Sequence, residues 1–259
     1  MKVLVPDDVL DAMSELRSAG VPFVLATVIG TKGSTPRKLG SKMIVAQDGR
    51  LIGTVGGGKV EFAVVEAARR LFDAPEACRF EWDLASEEAG GMICGGAMEF
   101  LLEPFGVRPR AVIFGGGHVG LALSRILLGL RFDVTVVDPR AELMTSDRLP
   151  GCRLVCQAPA EAAAGPAVPP GAFCVVANHG HVQDLETMLA LVRRDAAYLG
   201  LMGSKRKRGE VFAALEASGT APEVLGRVHC PVGLPIGAET PAEIAISIAA
   251  EMVAAYRQR

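Results

Sequence analysis

The chain has 259 residues, 50% of them apolar and 22% charged, with a net charge of −2: enough to bury a core without disulfide or metal staples. The near-neutral charge and 5% aromatic content exclude a basic, base-stacking surface and argue against nucleic acid as a partner. Asp7 and Asp8 interrupt any signal-peptide core, and Arg125, Glu243 and Glu251 interrupt the apolar helical runs, so no membrane span and a cytoplasmic location are expected.

In chain order, Val9, Leu10, Met13 and Leu16 give an apolar stripe to a helix over 8–19, stopped by Gly20. A strand over 23–29 leads to a polar glycine- and proline-bearing loop over 30–40. Strands over 42–46 and 51–54 form a hairpin around Asp48-Gly49, and a helix over 59–72 follows three glycines. Strands over 79–84 and 97–103 bracket a loop that holds Cys94 among Gly90, Gly91, Gly95 and Gly96. This is a small α+β module, and residues 104–109 read as its linker, which divides the chain into 1–107 and 108–259.

The second part alternates: strand 111–114, helix 118–129, strands 133–137, 153–156 and 173–177, helix 182–193, strand 197–201, helix 204–217. Thr240, Pro241 and Glu243 open a closing helix that reaches about residue 257. Residues 158–171, rich in Ala and Pro, read as a surface excursion or a frayed helix. The expected class is α/β: a Rossmann-like doubly wound parallel sheet preceded by the smaller α+β domain.

Five groups of residues carry possible chemistry. Gly115, Gly117 and Gly120 stand at the three positions of a dinucleotide-type turn, with His118 among them. The first permits the turn, the second admits a phosphate and the third lets helix and strand close up. Asp138 ends the next strand about twenty residues on, where an acid accepts hydrogen bonds from a ribose diol. Arg140 beside it either takes an extra phosphate or is a solvated arginine. A second loop, Gly53 to Val60, nearly fits the Walker A spacing, but Val60 replaces the hydroxyl that holds magnesium, which argues against ATP hydrolysis. Gly56, Gly57 and Gly58 there either bind an anion or a carbonyl-rich ligand, or simply make a tight turn.

Cys94, exposed by its glycines, is a candidate nucleophile, sulfur carrier or soft-metal ligand. The other five cysteines read as core or incidental thiols. Ser204, Lys205 and Arg206, with Lys207 and Arg208, stand at a helix start where phosphate is welcome. His179 follows a strand into the same crevice. His181 and Asp184 either pair with each other, or Asp184 caps the first turn.

These stretches, taken in order with Gly33-Ser34-Thr35-Pro36-Arg37, Met92-Ile93-Cys94 and Pro231 to Gly237, resemble the XdhC/CoxI family of xanthine dehydrogenase accessory proteins. The resemblance implies a maturation factor rather than a turnover enzyme. Its cargo is molybdenum cofactor, as molybdopterin or its cytidine dinucleotide form. Its expected partners are a cysteine desulfurase, a molybdenum hydroxylase apoenzyme and a second copy of itself in a homodimer. Cys94 carries over as the cofactor contact. Two other readings stand beside it: an NAD(P)-dependent oxidoreductase with His179 as acid–base, and a non-catalytic nucleotide-binding scaffold.

Overall fold

The computed structural model describes residues 6–73, 75–84 and 96–258. The chain divides into two compact units, Met1–Val107 and Arg108–Arg259.

The first unit runs α1 (Pro6–Ser18), β1 (Phe23–Lys32), β2 (Lys42–Ala46), β3 (Leu51–Gly53), α2 (Gly58–Arg70), β4 (Cys78–Asp83) and β5 (Ala97–Phe105). Its antiparallel sheet has the order β3-β2-β1-β5-β4. Central strand β1 is apolar on both faces because each face carries a helix. Phe23 and Leu25 meet Val9, Ala12 and Leu16 of α1, while Val24, Ala26 and Val28 meet Val60, Val64 and Ala68 of α2.

Two strands run on past their expected ends. β1 continues through Gly30 to Lys32 because a bulge between Val28 and Gly30 lets it keep pairing with β5. β5 likewise runs on through Pro104 to Phe105, whose ring stacks on Phe23 at 5.2 Å. The expected linker therefore begins only at Gly106, which has φ +71°.

The second unit contains β6 (Arg110–Phe114), α3 (His118–Gly129), β7 (Asp133–Val137), a 3-10 turn (Ala141–Leu143), β8 (Arg153–Val155), α4 (Pro159–Ala164), β9 (Ala172–Val176), α5 (His181–Leu191), β10 (Ala196–Leu201), α6 (Lys205–Ala217), α7 (Pro222–Leu225), β11 (Val228–His229) and α8 (Pro241–Arg257). Every strand pair is parallel, in the order β11-β10-β9-β6-β7-β8. From β6 the chain builds outward through β7 and β8. It then crosses to the other side of β6 and builds outward again. The crevice between β6 and β9 is thus the topological switch point, the place where doubly wound sheets take ligands.

Alternate residues of the strands face two helix layers. Ala111, Ile113, Val134, Val136 and Val175 pack on Leu123 and Leu127 of α3 and Ile248 and Met252 of α8. Val112, Phe114, Cys174 and Val176 pack on α4, α5 and α6. The segment 158–171 is not a surface excursion. Ala162, Ala163, Ala167 and Val168 are buried, because alanines let α4 approach α5 closely, and Arg194 donates to the carbonyls of Ala164, Gly165 and Val168.

Candidate functional site

The glycine turn after β6 is fixed by two contacts that no side chain tolerates. Gly115 sits at φ +118°, and a Cβ there would lie 2.2 Å from the Ala177 carbonyl oxygen. A Cβ on Gly120 would lie 1.9 Å from the Gly115 carbonyl oxygen. Gly117 is different. Its φ is −69°, and an added Cβ would meet nothing within 4 Å. Packing among the described residues gives no reason for glycine there. Gly117 also N-caps α3 with no side-chain hydrogen bond, and the first turn holds no acidic residue, so the helix's orphan N–H groups are left to solvent or ligand.

Asp138 is 2% exposed and closes this turn from the end of β7. Its Oδ2 accepts from the Gly116 amide at 2.7 Å and from Arg140 Nη2 at 2.7 Å. Its Oδ1 accepts from the Arg140 amide at 3.0 Å and Nε at 2.8 Å. Burial alone would raise its pKa, but the hydrogen bonds from Arg140 and Gly116 outweigh it and hold the carboxyl below the usual range.

Beside this fork lies a cavity of about 390 Å³, lined by Asp138, Pro139, Arg140, Asn178, His179, Gly180, Val182 and Gln183. It opens beyond the C-terminal ends of β7 and β9, and its volume falls in the usual range for small-molecule sites. His179 is exposed at its edge. Gly180 N-caps α5, again with no side-chain cap.

The first unit has its own glycine loop. Gly56, Gly57 and Gly58 all have positive φ, and a Cβ on Gly56 would press into Pro36 at 2.8 Å. Glu61, in the first turn of α2, accepts from the Val55 amide at 3.2 Å and from the Thr54 hydroxyl. An internal carboxylate thus ties the start of this loop to the helix that follows it.

The XdhC Rossmann domain model matches residues 111–252, and the XdhC and CoxI family model matches residues 16–83. The chain belongs to the XdhC and CoxI family. An uncharacterized Escherichia coli K12 protein, YqeB, is 36% identical over 93% of this chain, which spans only 44% of YqeB's length. A Bacillus subtilis 168 protein, named as a probable subunit of xanthine dehydrogenase, is 25% identical, over 94% of this chain and 95% of its own. A Bacillus halodurans structure, described as a xanthine dehydrogenase, aligns over 96% of each chain with a TM-score of 0.54 and 22% identity, a likeness of fold.

Within the XdhC Rossmann domain the structure gathers Asp138, Arg140 and His179 around one cavity, with Gly115, Gly117 and Gly120 in the adjoining turn. Exposed His118 opens α3. Ser204, Lys205 and Arg206 do not line that cavity. Ser204 N-caps α6 by accepting from the Lys207 amide, and Lys205 and Arg206 are exposed, with Arg206 3.7 Å from Glu210. Asp138 accepts four hydrogen bonds from within the chain, from Gly116 and Arg140. Cys94 lies outside the described residues.

Asp184, set in the first turn of α5, has partners that the sequence did not point to. It is 1% exposed, its carboxylate pairs with Lys207 Nζ, and it accepts from the Asn178 amide at 3.3 Å. Lys207 Nζ also donates to the Met202 carbonyl at 2.9 Å. The inward cation of this run is therefore Lys207. The one sequence signal for it is four successive cations at the positive end of a helix, an arrangement the macrodipole disfavours unless counter-charges are supplied. Arg148 was also missed: it donates to the Gly116 carbonyl at 3.0 Å from a loop with no motif.

Proposed function

We propose that this chain is a xanthine dehydrogenase accessory protein. It binds molybdenum cofactor, supports its sulfuration by a cysteine desulfurase, and delivers it to a molybdenum hydroxylase of the xanthine dehydrogenase type. Family membership supports the accessory role. The observation that carries the reading is the switch-point cavity lined by Asp138, which holds the glycine turn through Gly116, where Gly117, demanded by no contact among the described residues, opens an uncapped helix start. Such a place suits the phosphate end of a pterin cofactor or of its nucleotide form. Cys94, in its glycine frame, supplies a soft sulfur for the cargo. No helix among the described residues is long and apolar enough to cross a membrane, in keeping with work in the cytoplasm, where a homodimer is the proposed state.

The test is to purify wild type and Cys94→Ser after expression with cofactor biosynthesis active, then assay released pterin by fluorescence. Wild type is expected to carry pterin and Cys94→Ser clearly less. Equal pterin in both contradicts the role of Cys94, and none in either contradicts the cargo. One observation favours a second reading, an NAD(P)-dependent oxidoreductase: exposed His179 lines the cavity. Steady oxidation of NAD(P)H by the pure protein is its test.

A further inference from the structure

The cavity's β7 rim has an acceptor that is full and a donor that is not. An ionised carboxylate offers about four lone-pair sites, and Asp138 spends four on Gly116 and Arg140. A ribose diol has no acceptor left to bind there unless the fork breaks. Arg140, by contrast, commits Nε and one N–H of Nη2 to Asp138. Of the five N–H groups of a guanidinium, three remain, on a side chain 38% exposed that lines the cavity. Among the described residues, the other polar side chains on the wall are those of Asn178, His179 and Gln183, and Asp138, already paired, is the one carboxylate there.

We propose that Arg140 reads a phosphate monoester at the β7 rim of this cavity, and that Asp138 is a positioning residue that aims it. The proposal rests on the reading that the crevice takes a phosphorylated ligand, and it names the group recognised. Asp138 is anchored to the glycine turn through Gly116, so the guanidinium is presented at a fixed place relative to α3. A planar fork held on one edge presents its other edge to a dianion, the geometry in which arginine outperforms lysine. Two ligands bring a monoester to such a rim: a dinucleotide phosphorylated on its ribose, and molybdopterin, whose cytidine form has lost its monoester to a pyrophosphate.

The test uses the full chain in two arms. In the first, titration calorimetry compares NADP⁺ with NAD⁺, which differ by one monoester. In the second, pterin retained after expression is compared for wild type, Arg140→Ala and Arg140→Lys, each with its melting temperature. A preference of about tenfold or more for NADP⁺, abolished by Arg140→Ala and partly kept by Arg140→Lys, supports the proposal with a nucleotide as source. If neither nucleotide binds, retention of molybdopterin by wild type and its loss in Arg140→Ala, at unchanged melting, support it with the pterin as source. Asp138→Asn should shrink the preference for NADP⁺ over NAD⁺, a ratio that loss of stability alone does not move, or lower the retained molybdopterin at unchanged melting. The proposal is overturned if wild type shows neither a preference for NADP⁺ nor retained molybdopterin, or if Arg140→Ala leaves intact whichever of the two is found. A nucleotide preference without any pterin overturns the cargo reading and leaves this one standing.

Discussion

The two glycine loops begin alike and end differently. Each follows a strand, opens a helix and has a loop amide bound by an internal carboxylate: Val55 by Glu61 and Gly116 by Asp138. Glu61 stands on the helix that follows its loop and holds Thr54 and Val55, upstream of the N-cap Gly57. Asp138 comes from the neighbouring strand and leaves the first turn of α3 open, with Gly117 facing space. Glycine spacing therefore makes the turn in both loops and leaves both helix starts without a side-chain cap, while the two differ in backbone: Gly57 has φ +75° and Gly117 φ −69°, so only the first needs glycine for its conformation.

The largest expected effect comes from closing the tight contacts of the second loop. Gly115→Ala and Gly120→Ala each drive a methyl into a backbone oxygen that cannot move aside. Each should cost about 4 kcal/mol or more, read as loss of cooperative melting in the Rossmann unit. Either variant melting like wild type would break the account of that turn.

A middle-sized effect is expected in the first loop. Glu61→Gln removes a charge-assisted acceptor from Val55 and Thr54 and should lower stability by about 1–3 kcal/mol, measured by urea unfolding. If it instead opened a phosphate site in the first unit, equilibrium dialysis with inorganic phosphate would detect binding that wild type lacks.

A smaller effect concerns acid. The folded Asp138 carboxyl lies below its ordinary value of 3.8, so near that pH the unfolded chain binds more protons than the folded one. Its contribution is present above pH 3.8 and is lost as pH falls through the folded value. Melting temperature should therefore drop below about pH 4, and Asp138→Asn should flatten that limb. Identical acid limbs in both proteins would contradict the fork.

The parallel sheet was legible because βαβ alternation, glycine turns and capping residues write themselves into local sequence. Gly115, Gly120 and Thr240 are such positions. What escaped was set by tertiary pairing. β11 has two residues, too few for any period. The alanines of α4 look like a loop until the face of α5 is known. In the site, Arg140 could be read two ways, because only the geometry shows Asp138 saturated by it. The partnership of Asp184 with Lys207 joins residues 23 positions apart on different helices, beyond the reach of any motif.

The most direct measurement of the central claim is Gly117→Ser. The backbone there, φ −69° and ψ −164°, suits a serine N-cap, whose hydroxyl would satisfy the orphan N–H groups of α3 and gain about a few tenths of a kcal/mol. The predicted result is a melting temperature equal to or above wild type together with a marked fall in the pterin that co-purifies. Undiminished pterin in a folded Gly117→Ser protein would contradict the assignment of this turn to the cargo.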